Sequence, residues 1–523
     1  MQENNKVHWF TPISYAVLLI VGIGIGVFLK GTINGTSWGS GSDNPIPEII
    51  QIVNGKYVDS VKRDSATQKM ADFYLSQLDP HSVYIPPSDL AAVNEQLQPN
   101  FKGIGIEFQQ FKDSVYVSYV LKNGPADKAG LQIGDVLLKA DDSVVLSGRK
   151  WEGEDIRKKL KGPANTKVSL LIARAGQTKK IIIQRDNVSL SPVDASYIVK
   201  PGTGYIKIAR FADRTYEAFM QALEPMLKDS IKSLVIDLRG NGGGLLSEAV
   251  AIADELIAGN KLIVYTQGVH SPRVDYFSKR EGLFEQGALT VLMDESSASA
   301  SEVLAGALQD WDRATIVGTR SFGKGLVQQQ FRLSNGGALR LTTAKYYSPL
   351  GRNIQRPYDA GKLQYEHDYF MRIKQDAIGK QDSTIKGKAY KTPKGHIVYG
   401  GGGIYPDKWL TSSTVIIDSS ASVLYEAGLL NEFVFRYYVS HKKQMEALPN
   451  VAAFLGQNQN IDWWGLLNAQ ANNQQKMELL KIVKYKTIVN RQVLAQLARM
   501  RWYKQGLIEV QNSLDPNFAS MLP

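Results

Sequence analysis

The chain has 523 residues, and its 61 Lys and Arg against 50 Asp and Glu give a formal net charge of +11. Apolar residues make up 43% and charged residues 21%, an ordinary globular composition that excludes wholesale disorder and fibrous repeats. Cysteine is absent, which excludes disulfide scaffolds, thiolate zinc sites and a cysteine nucleophile. The positive charge is spread thinly, so we expect no nucleic-acid partner. The length predicts about three domains.

The N-terminal end predicts a membrane anchor. A short tail, residues 1–12, precedes the apolar run ISYAVLLIVGIGIGVFL at 13–29, and a linker rich in Gly, Ser and Asn follows at 30–47. The run is at the short end of the roughly 17–25 residues that span a bilayer, but longer than the roughly 7–15 apolar residues of a secretory signal. Because no small-x-small cleavage site follows Lys30, we expect an uncleaved anchor. A cleaved signal and a buried core helix are the alternatives.

Two regions of different periodicity follow the linker. Apolar residues recur every three or four positions over 48–100, which predicts a helical lead-in interrupted at Asp79-Pro80-His81-Ser82. We interpret His81 as a loop residue with local hydrogen bonds, not as a catalytic base. Over 101–190, short runs that alternate apolar and polar residues predict strands, with one amphipathic helix at 152–160. This second region is therefore predicted to be a small β-rich module.

The region 191–408 predicts an α/β core, because apolar runs at 233–238 and 288–293 are typical of strands buried on both faces. Helical patterns alternate with these strands. The remaining residues, 409–523, predict a helical domain with a packing or docking role.

Two of three unusual loops follow the buried strands. The first, Asp237-Leu-Arg-Gly-Asn-Gly-Gly-Gly244, presents backbone N–H groups but lacks the last glycine of a dinucleotide fingerprint, so function and a plain tight turn are equally good interpretations. In the second, 296–302, Ser299 and Glu302 have the spacing of a helix capping box. Alternatively, Ser299 is a nucleophile at a helix N-terminus, where the Ala300 N–H could stabilise an oxyanion. The G-x-S-x-G elbow of α/β-hydrolases is absent.

The third loop, Gly318-Thr-Arg-Ser-Phe-Gly-Lys-Gly325, nearly matches a phosphate-binding loop. Its last position is glycine instead of Ser or Thr, and a strand pattern follows where a helix is required, so we reject a nucleotide-binding enzyme. A serine and a neutral lysine suffice for acyl transfer, and burial of Lys324 would favour its neutral form. No HExxH or other metal pattern occurs, and we expect neither a metal nor a cofactor.

With these loops the sequence resembles the C-terminal processing peptidases, or tail-specific proteases, of the Ser–Lys type. The resemblance covers roughly 48–407 and includes Leu78-Asp79-Pro80-His81-Ser82, the glycine loop, Ser297-Ala-Ser-Ala-Ser-Glu302, Ser321-Phe-Gly-Lys-Gly-x-Val-Gln328 and Gly403-Ile-x-Pro-Asp407. It implies Ser299 as nucleophile, Lys324 as base and Gln328 as the residue that orients the lysine. The implied oxyanion hole consists of the Ala300 N–H and the N–H of either Gly243 or Gly244.

The resemblance also implies that the β-rich module is a PDZ domain that binds substrate tails and gates the active site. A peptide would add as an edge strand, with its C-terminus in a carboxylate-binding loop. That loop and the groove wall are predicted to comprise Gly103, Ile104, Gly105, Ile106, Ile156 and Leu160. Residues 363–400 are interpreted as an insertion, and the region beyond Trp409 has no counterpart in the family.

The predicted fold is an α/β (α+β) multidomain chain with an N-terminal anchor, a helical lead-in, a PDZ domain, a ClpP/crotonase-like α/β peptidase core and a C-terminal helical extension. We expect a serine endopeptidase that cleaves proteins near their C-termini. It would be a single-pass protein of the cytoplasmic membrane with its catalytic part in the periplasm of a Gram-negative bacterium. The expected partners are substrate tails and the membrane, with an adaptor protein as an additional candidate. The alternative is a catalytically inactive PDZ scaffold on a peptidase fold.

Overall fold

The computed structural model describes residues 45–97, 100–148, 150–377, 387–410, 422–425 and 428–523. The predicted anchor at 13–29 lies outside these residues, and within them no helix has the length and apolar character that a membrane span requires. The chain divides into two compact units, 1–70 and 71–523. Helix α1 (Ile46–Lys56) belongs to the first unit and begins with a proline in its first turn, where the missing N–H costs no helical hydrogen bond. Helix α2 spans Arg63–Ser76.

The β-rich module contains a six-stranded sheet in the order β3-β4-β5-β7-β8, with β6 on β5. The strands alternate between buried apolar and exposed residues, as in β7, where Val168, Leu170 and Ile172 face the core. The first and last strands of the module, β2 and β9, form a separate antiparallel pair. Its elements are β2 (Asn100–Gly103), β3 (Ile106–Phe111), β4 (Ser114–Val120), α4 (Pro125–Lys128), β5 (Val136–Ala140), β6 (Val144–Val145), α5 (Gly153–Leu160), β7 (Lys167–Arg174), β8 (Gln177–Gln184) and β9 (Asp186–Ser189).

The α/β core is built on a second six-stranded sheet in the order β10-β11-β12-β15-β16-β21. Only the β10–β11 pair is antiparallel. The two apolar runs of the sequence form β12 and β15, whose central residues are fully buried. The elements are β10 (Val193–Lys200), β11 (Thr203–Ile208), α6 (Thr215–Lys228), β12 (Ser233–Asp237), α7 (Leu246–Asp254), β15 (Ala288–Met293), α8 (Ala300–Asp310), β16 (Thr315–Gly318) and β21 (Lys408–Trp409).

A five-stranded antiparallel sheet covers the loops that follow this core. Its first strand lies within the region predicted to be helical, because the chain after Asp79-Pro80-His81-Ser82 pairs with β18. The Asn335-Gly336 turn joins β17 and β18 as a hairpin. The elements here are β1 (Val83–Ile85), α3 (Pro87–Leu97), β13 (Leu262–Gly268), β14 (Ser271–Phe277), β17 (Leu326–Arg332) and β18 (Ala338–Tyr347).

The segment interpreted as an insertion begins with a helix and continues as a small hairpin, and helices follow to the C-terminus. The C-terminal helices share an apolar core that includes Phe111 of β3, so they pack directly on the β-rich module. The long helix α16 is kinked at Trp502 and Tyr503. The elements are α9 (Lys362–Ala377), β19 (Ala389–Lys391), β20 (Ile397–Tyr399), α10 (Ser422–Tyr425), α11 (Leu429–Ser440), α12 (Lys442–Ala447), α13 (Val451–Asn458), α14 (Trp463–Gln470), α15 (Asn473–Lys481), a 3₁₀ turn (Val483–Tyr485), α16 (Lys486–Leu514) and α17 (Phe518–Met521).

Candidate active site

Ser299 lies at the N-terminus of α8, directly after the loop that follows strand β15. Its backbone has φ +57° and ψ −114°, a region that non-glycine residues seldom adopt. Strain of this kind costs about 1–3 kcal/mol and persists where the surrounding structure fixes it, often at functional sites. The capping box with Glu302 is present as well, so the helix-capping and nucleophile interpretations of Ser299 do not exclude each other.

Glu302 joins the serine loop to the lysine loop. Its carboxylate is 1% exposed and accepts four hydrogen bonds, two on each oxygen. One oxygen accepts from the N–H groups of Ser299 at 2.7 Å and Lys324 at 2.9 Å. The other accepts from the Ser321 hydroxyl at 2.5 Å and the Gly323 N–H at 2.6 Å. The relative position of the two loops therefore depends on one buried side chain.

A chain of two hydrogen bonds connects the Lys324 side chain, through the Gln328 side chain, to the backbone of His81. Lys324 Nζ donates to Gln328 Oε1 at 2.9 Å, and Gln328 Nε2 donates to the backbone carbonyl of His81 at 2.6 Å. The His81 loop is in turn held by Asp79, whose carboxylate accepts the His81 N–H at 2.8 Å. Gln328 is thereby fixed with its oxygen facing the amine.

The surroundings of Lys324 favour a neutral amine. Burial lowers the pKa of Lys324 below its ordinary value, and the positive charge of Arg340 acts in the same direction. The carboxylates of Glu302 and Asp79 oppose this shift without reversing it. Burial, followed by the charge of Lys324, also lowers the pKa of His81 to about 4, so this imidazole is neutral at physiological pH.

The glycine loop touches the serine loop directly. A Cβ atom on Gly243 would lie 2.5 Å from the carbonyl oxygen of Ala298 and 2.9 Å from the Ala300 nitrogen, so only glycine fits. The Gly243 N–H donates to Asn241 Oδ1 at 2.9 Å. By contrast, the N–H groups of Gly244 and Ala300 form no hydrogen bond with any residue that the structure describes. Of the two glycines implied by the resemblance, Gly244 therefore has the available donor.

Helix α9, in the segment interpreted as an insertion, also contacts the site. The Tyr365 hydroxyl lies 3.3 Å from His81 Nε2, and the Tyr369 hydroxyl lies 3.3 Å from Ser296 Oγ. Both rings pack near Phe322, with centroid separations of 6.1 and 5.0 Å. The segment interpreted as an insertion thus borders both the serine loop and the lysine loop.

A groove of about 620 Å³ lies along the carboxylate-binding loop predicted in the β-rich module. Gly103, Ile104, Gly105 and Ile106 line it, as does Leu160 of helix α5. The prediction for Ile156 is wrong, because this side chain is fully buried in the core of the module. The residues of α5 that line the groove are Glu154, Arg157 and Leu160. Around the helix Ile156 lies about 100° from Arg157 and about 160° from Glu154, on the side that packs into the core of the module.

Sequence reasoning missed the structural roles of Glu302, His81 and helix α9. Glu302 was visible only as a capping residue, and its bonds to the lysine loop join residues far apart in sequence. The contact of His81 is made by its backbone carbonyl, so no side-chain pattern could have indicated it. In the part of the chain that the structure describes, no group of three or more His, Asp or Glu residues is placed to hold a metal ion.

An α/β core with a serine at a helix N-terminus, together with the β-rich module, is the arrangement expected of a multidomain serine peptidase. Residues 202–360 match the model of peptidase family S41, and residues 116–174 match that of the PDZ domain. A carboxy-terminal-processing protease of Bartonella bacilliformis is 35% identical over 315 residues, 59% of this chain and 71% of the relative. The chain therefore belongs to peptidase family S41, among the carboxy-terminal-processing proteases.

One further relative and one solved structure are also similar to this chain. A probable CtpA-like serine protease of Staphylococcus saprophyticus is 30% identical over 367 residues, 68% of this chain and 73% of the relative. Among solved structures, the photosystem II D1 C-terminal processing protease is 30% identical, with 63% of this chain and 86% of that chain covered and a TM-score of 0.35.

Proposed function

We propose that the protein is an endopeptidase that cleaves proteins near their C-termini by a Ser–Lys acyl-enzyme mechanism. The observation that carries this proposal is the Lys324 amine, which is part-buried, lowered in pKa and held by Gln328, on a loop that Glu302 ties to Ser299. A neutral amine in this position can accept the proton of a serine hydroxyl.

In the acylation step, Ser299 Oγ attacks the carbonyl carbon of the scissile peptide while its proton passes to Lys324 Nζ. The resulting tetrahedral oxyanion accepts hydrogen bonds from the N–H groups of Ala300 and Gly244. Each preorganised donor of this kind contributes about 10²–10³ in rate in other serine peptidases. Lys324 then donates its proton to the leaving amine, and water hydrolyses the acyl-enzyme by the same steps in reverse order.

We further propose that the PDZ domain selects substrates by their C-terminal tails. The groove along Gly103–Ile106 lies at strand β3, which pairs with β4 on one side only. An extended peptide can add to the edge of β3 that pairs with no strand of the described chain, where backbone hydrogen bonds provide affinity and the side chains of the groove provide selectivity.

The apolar run at 13–29 supports a location at the cytoplasmic membrane. The run does not orient the chain, and the periplasmic side for the peptidase is proposed from the family resemblance alone. Cell fractionation and protease accessibility in spheroplasts test this part of the proposal. Release of the full-length protein with the soluble fraction would contradict it.

The catalytic proposal is tested by digestion of an unstructured tagged protein. Ser299→Ala and Lys324→Ala are each expected to lower kcat by at least about 10³-fold, because both groups act in one step. Ser334→Ala and Lys345→Ala serve as matched controls on exposed residues and should retain wild-type rates. Wild-type rates in both site variants would refute the Ser–Lys assignment. Binding of tail peptides without cleavage by the wild-type protein would favour the PDZ scaffold instead.

A further inference from the structure

The peptide groove is lined by six charged side chains, five from the region before the core and one, Arg210, from the peptidase core itself. Arg210 follows strand β11 and is part-buried. The others are Glu95, Glu107, Glu154, Arg157 and Lys161.

All three carboxylates of the groove are already paired. Lys161 Nζ lies 2.9 Å from Glu95, and Arg157 Nη1 lies 3.2 Å from Glu154. Glu107 pairs with Arg499 of helix α16 at 2.5 Å and also accepts from the Tyr503 hydroxyl at 3.0 Å. Arg157 and Lys161 are therefore both already engaged in ion pairs.

Arg210 is the remaining charge. Its guanidinium forms no ion pair and no hydrogen bond with any residue that the structure describes. A part-buried guanidinium that faces a groove whose other charges are compensated is suited to a bidentate anion, because its planar donors match a carboxylate.

The same groove offers backbone donors for that anion. The N–H groups of Ile104 and Gly105 form no hydrogen bond within the described chain, whereas their carbonyls accept from Ala126 and Leu121 at 2.9 Å each. Neutral N–H groups orient a carboxylate but do not neutralise its charge, which a guanidinium lining the same groove can do.

We propose that Arg210, a residue of the peptidase core, pairs with the terminal carboxylate of the substrate tail bound along Gly103–Ile106. This inference rests on the proposed function of the PDZ groove and identifies Arg210 as a specificity-determining residue for it. The tail site would then be complete only when the PDZ domain lies against the core, since each contributes part of it.

Arg210 is adjacent in sequence to a residue that is hydrogen-bonded to the glycine loop. The next residue, Phe211, donates its N–H to the Gly243 carbonyl at 2.9 Å and accepts from the Leu245 N–H at 2.6 Å. These two bonds flank Gly244. The segment that would hold the tail carboxylate therefore also holds the glycine loop.

The test measures binding of labelled peptides to full-length Ser299→Ala protein, which prevents turnover. Two peptides of the same apolar sequence are compared, one with a free C-terminal carboxylate and one with a C-terminal amide. In the parent protein we expect the free acid to bind more tightly than the amide. Arg210→Gln should lower affinity for the free acid by about 10–100-fold and change affinity for the amide less than about twofold. Arg210→Lys should retain part of the preference.

Lys102→Gln is the matched control, because Lys102 is an exposed cation beside the carboxylate-binding loop but does not line the groove. It should leave the preference for the free acid unchanged. An unchanged preference in Arg210→Gln would overturn the proposal, and so would an equal loss for both peptides, which would indicate a structural role. If the parent protein binds neither peptide, the PDZ part of the proposed function fails as well, while the digestion assay on Ser299 and Lys324 remains an independent measurement.

Discussion

Gln328→Glu tests whether Lys324 acts as a neutral base. Gln328 now presents an amide oxygen to Nζ at 2.9 Å and an amide N–H to the His81 carbonyl at 2.6 Å. Glutamate has nearly the same shape but brings a negative charge and loses the donor. The charge would stabilise the ammonium form of Lys324 and so raise its pKa.

The magnitude follows from the separation of the two groups. An opposite charge within about 4–6 Å shifts a pKa by about 1–3 units. Each unit lowers the fraction of neutral amine about tenfold at any pH below the wild-type pKa of Lys324. In that pH range we therefore expect kcat/KM to fall by at least about 10-fold in Gln328→Glu. The loss should shrink as the pH rises, because the amine can still be deprotonated.

The assay is kcat/KM for a tagged peptide across about pH 6–10, with circular dichroism to establish that the variant is folded. Gln329→Glu provides a matched control, since it adds the same charge at the next, exposed position of strand β17, on the opposite face. Its profile should superimpose on that of the wild type. If Gln328→Glu loses the same factor at every pH, the substitution damages geometry alone, and the assignment of Lys324 as a titrating base is refuted.

Three further changes test other parts of the site. Gly243→Ala should reduce kcat by about 10²-fold or more, because its Cβ would lie 2.5 Å from the Ala298 oxygen, whereas Gly242→Ala has open space and should stay within about twofold. Glu302→Gln should lower the free energy of unfolding by about 2–4 kcal/mol in denaturant unfolding, because the amide NH₂ would face two N–H or O–H donors. A loss below about 0.5 kcal/mol would contradict the role of Glu302 in joining the serine loop to the lysine loop. The pKa of His81 is about 4 in the folded protein, whereas the unfolded chain has the ordinary value of about 6.5. As the pH falls below about 6.5, the unfolded chain therefore binds a proton that the folded protein does not bind. Stability should fall by up to about 2 kcal/mol between pH 7.5 and pH 5, and His81→Gln should remove that part of the loss.

Much of the architecture could be predicted because its signals are local. Buried parallel strands appear as continuous apolar runs, so β12 and β15 lie where the sequence indicated them. Strand β1 was missed because three residues carry no periodicity of their own. Its partner, β18, is more than 250 residues away in sequence, as in the pairing of Val83 with Arg340.

The parts of the site that could not be predicted are the contacts between distant loops. The motifs identified Ser299 and Lys324 individually, but the carboxylate that joins their loops was explained equally well by a local capping box. The residues of the groove wall could not be predicted with certainty either, because helical periodicity alone does not say which of two adjacent faces of α5 is buried. Ile156 was assigned to the groove for that reason, although its side chain lies in the core.

Helix α16 relates the peptide groove to the glycine loop, although its sequence carries no recognisable chemistry. Near its kink, Arg499 and Tyr503 contact Glu107 of strand β3, and the Tyr503 ring stacks on Tyr119 at 4.2 Å. Further along the same helix, Asn512 accepts from Arg239 of the glycine loop at 3.2 Å. Tyr503 has φ +55° and ψ −142°, a conformation that is stable only because these contacts fix it. Helix α16 therefore contacts both strand β3 and the glycine loop.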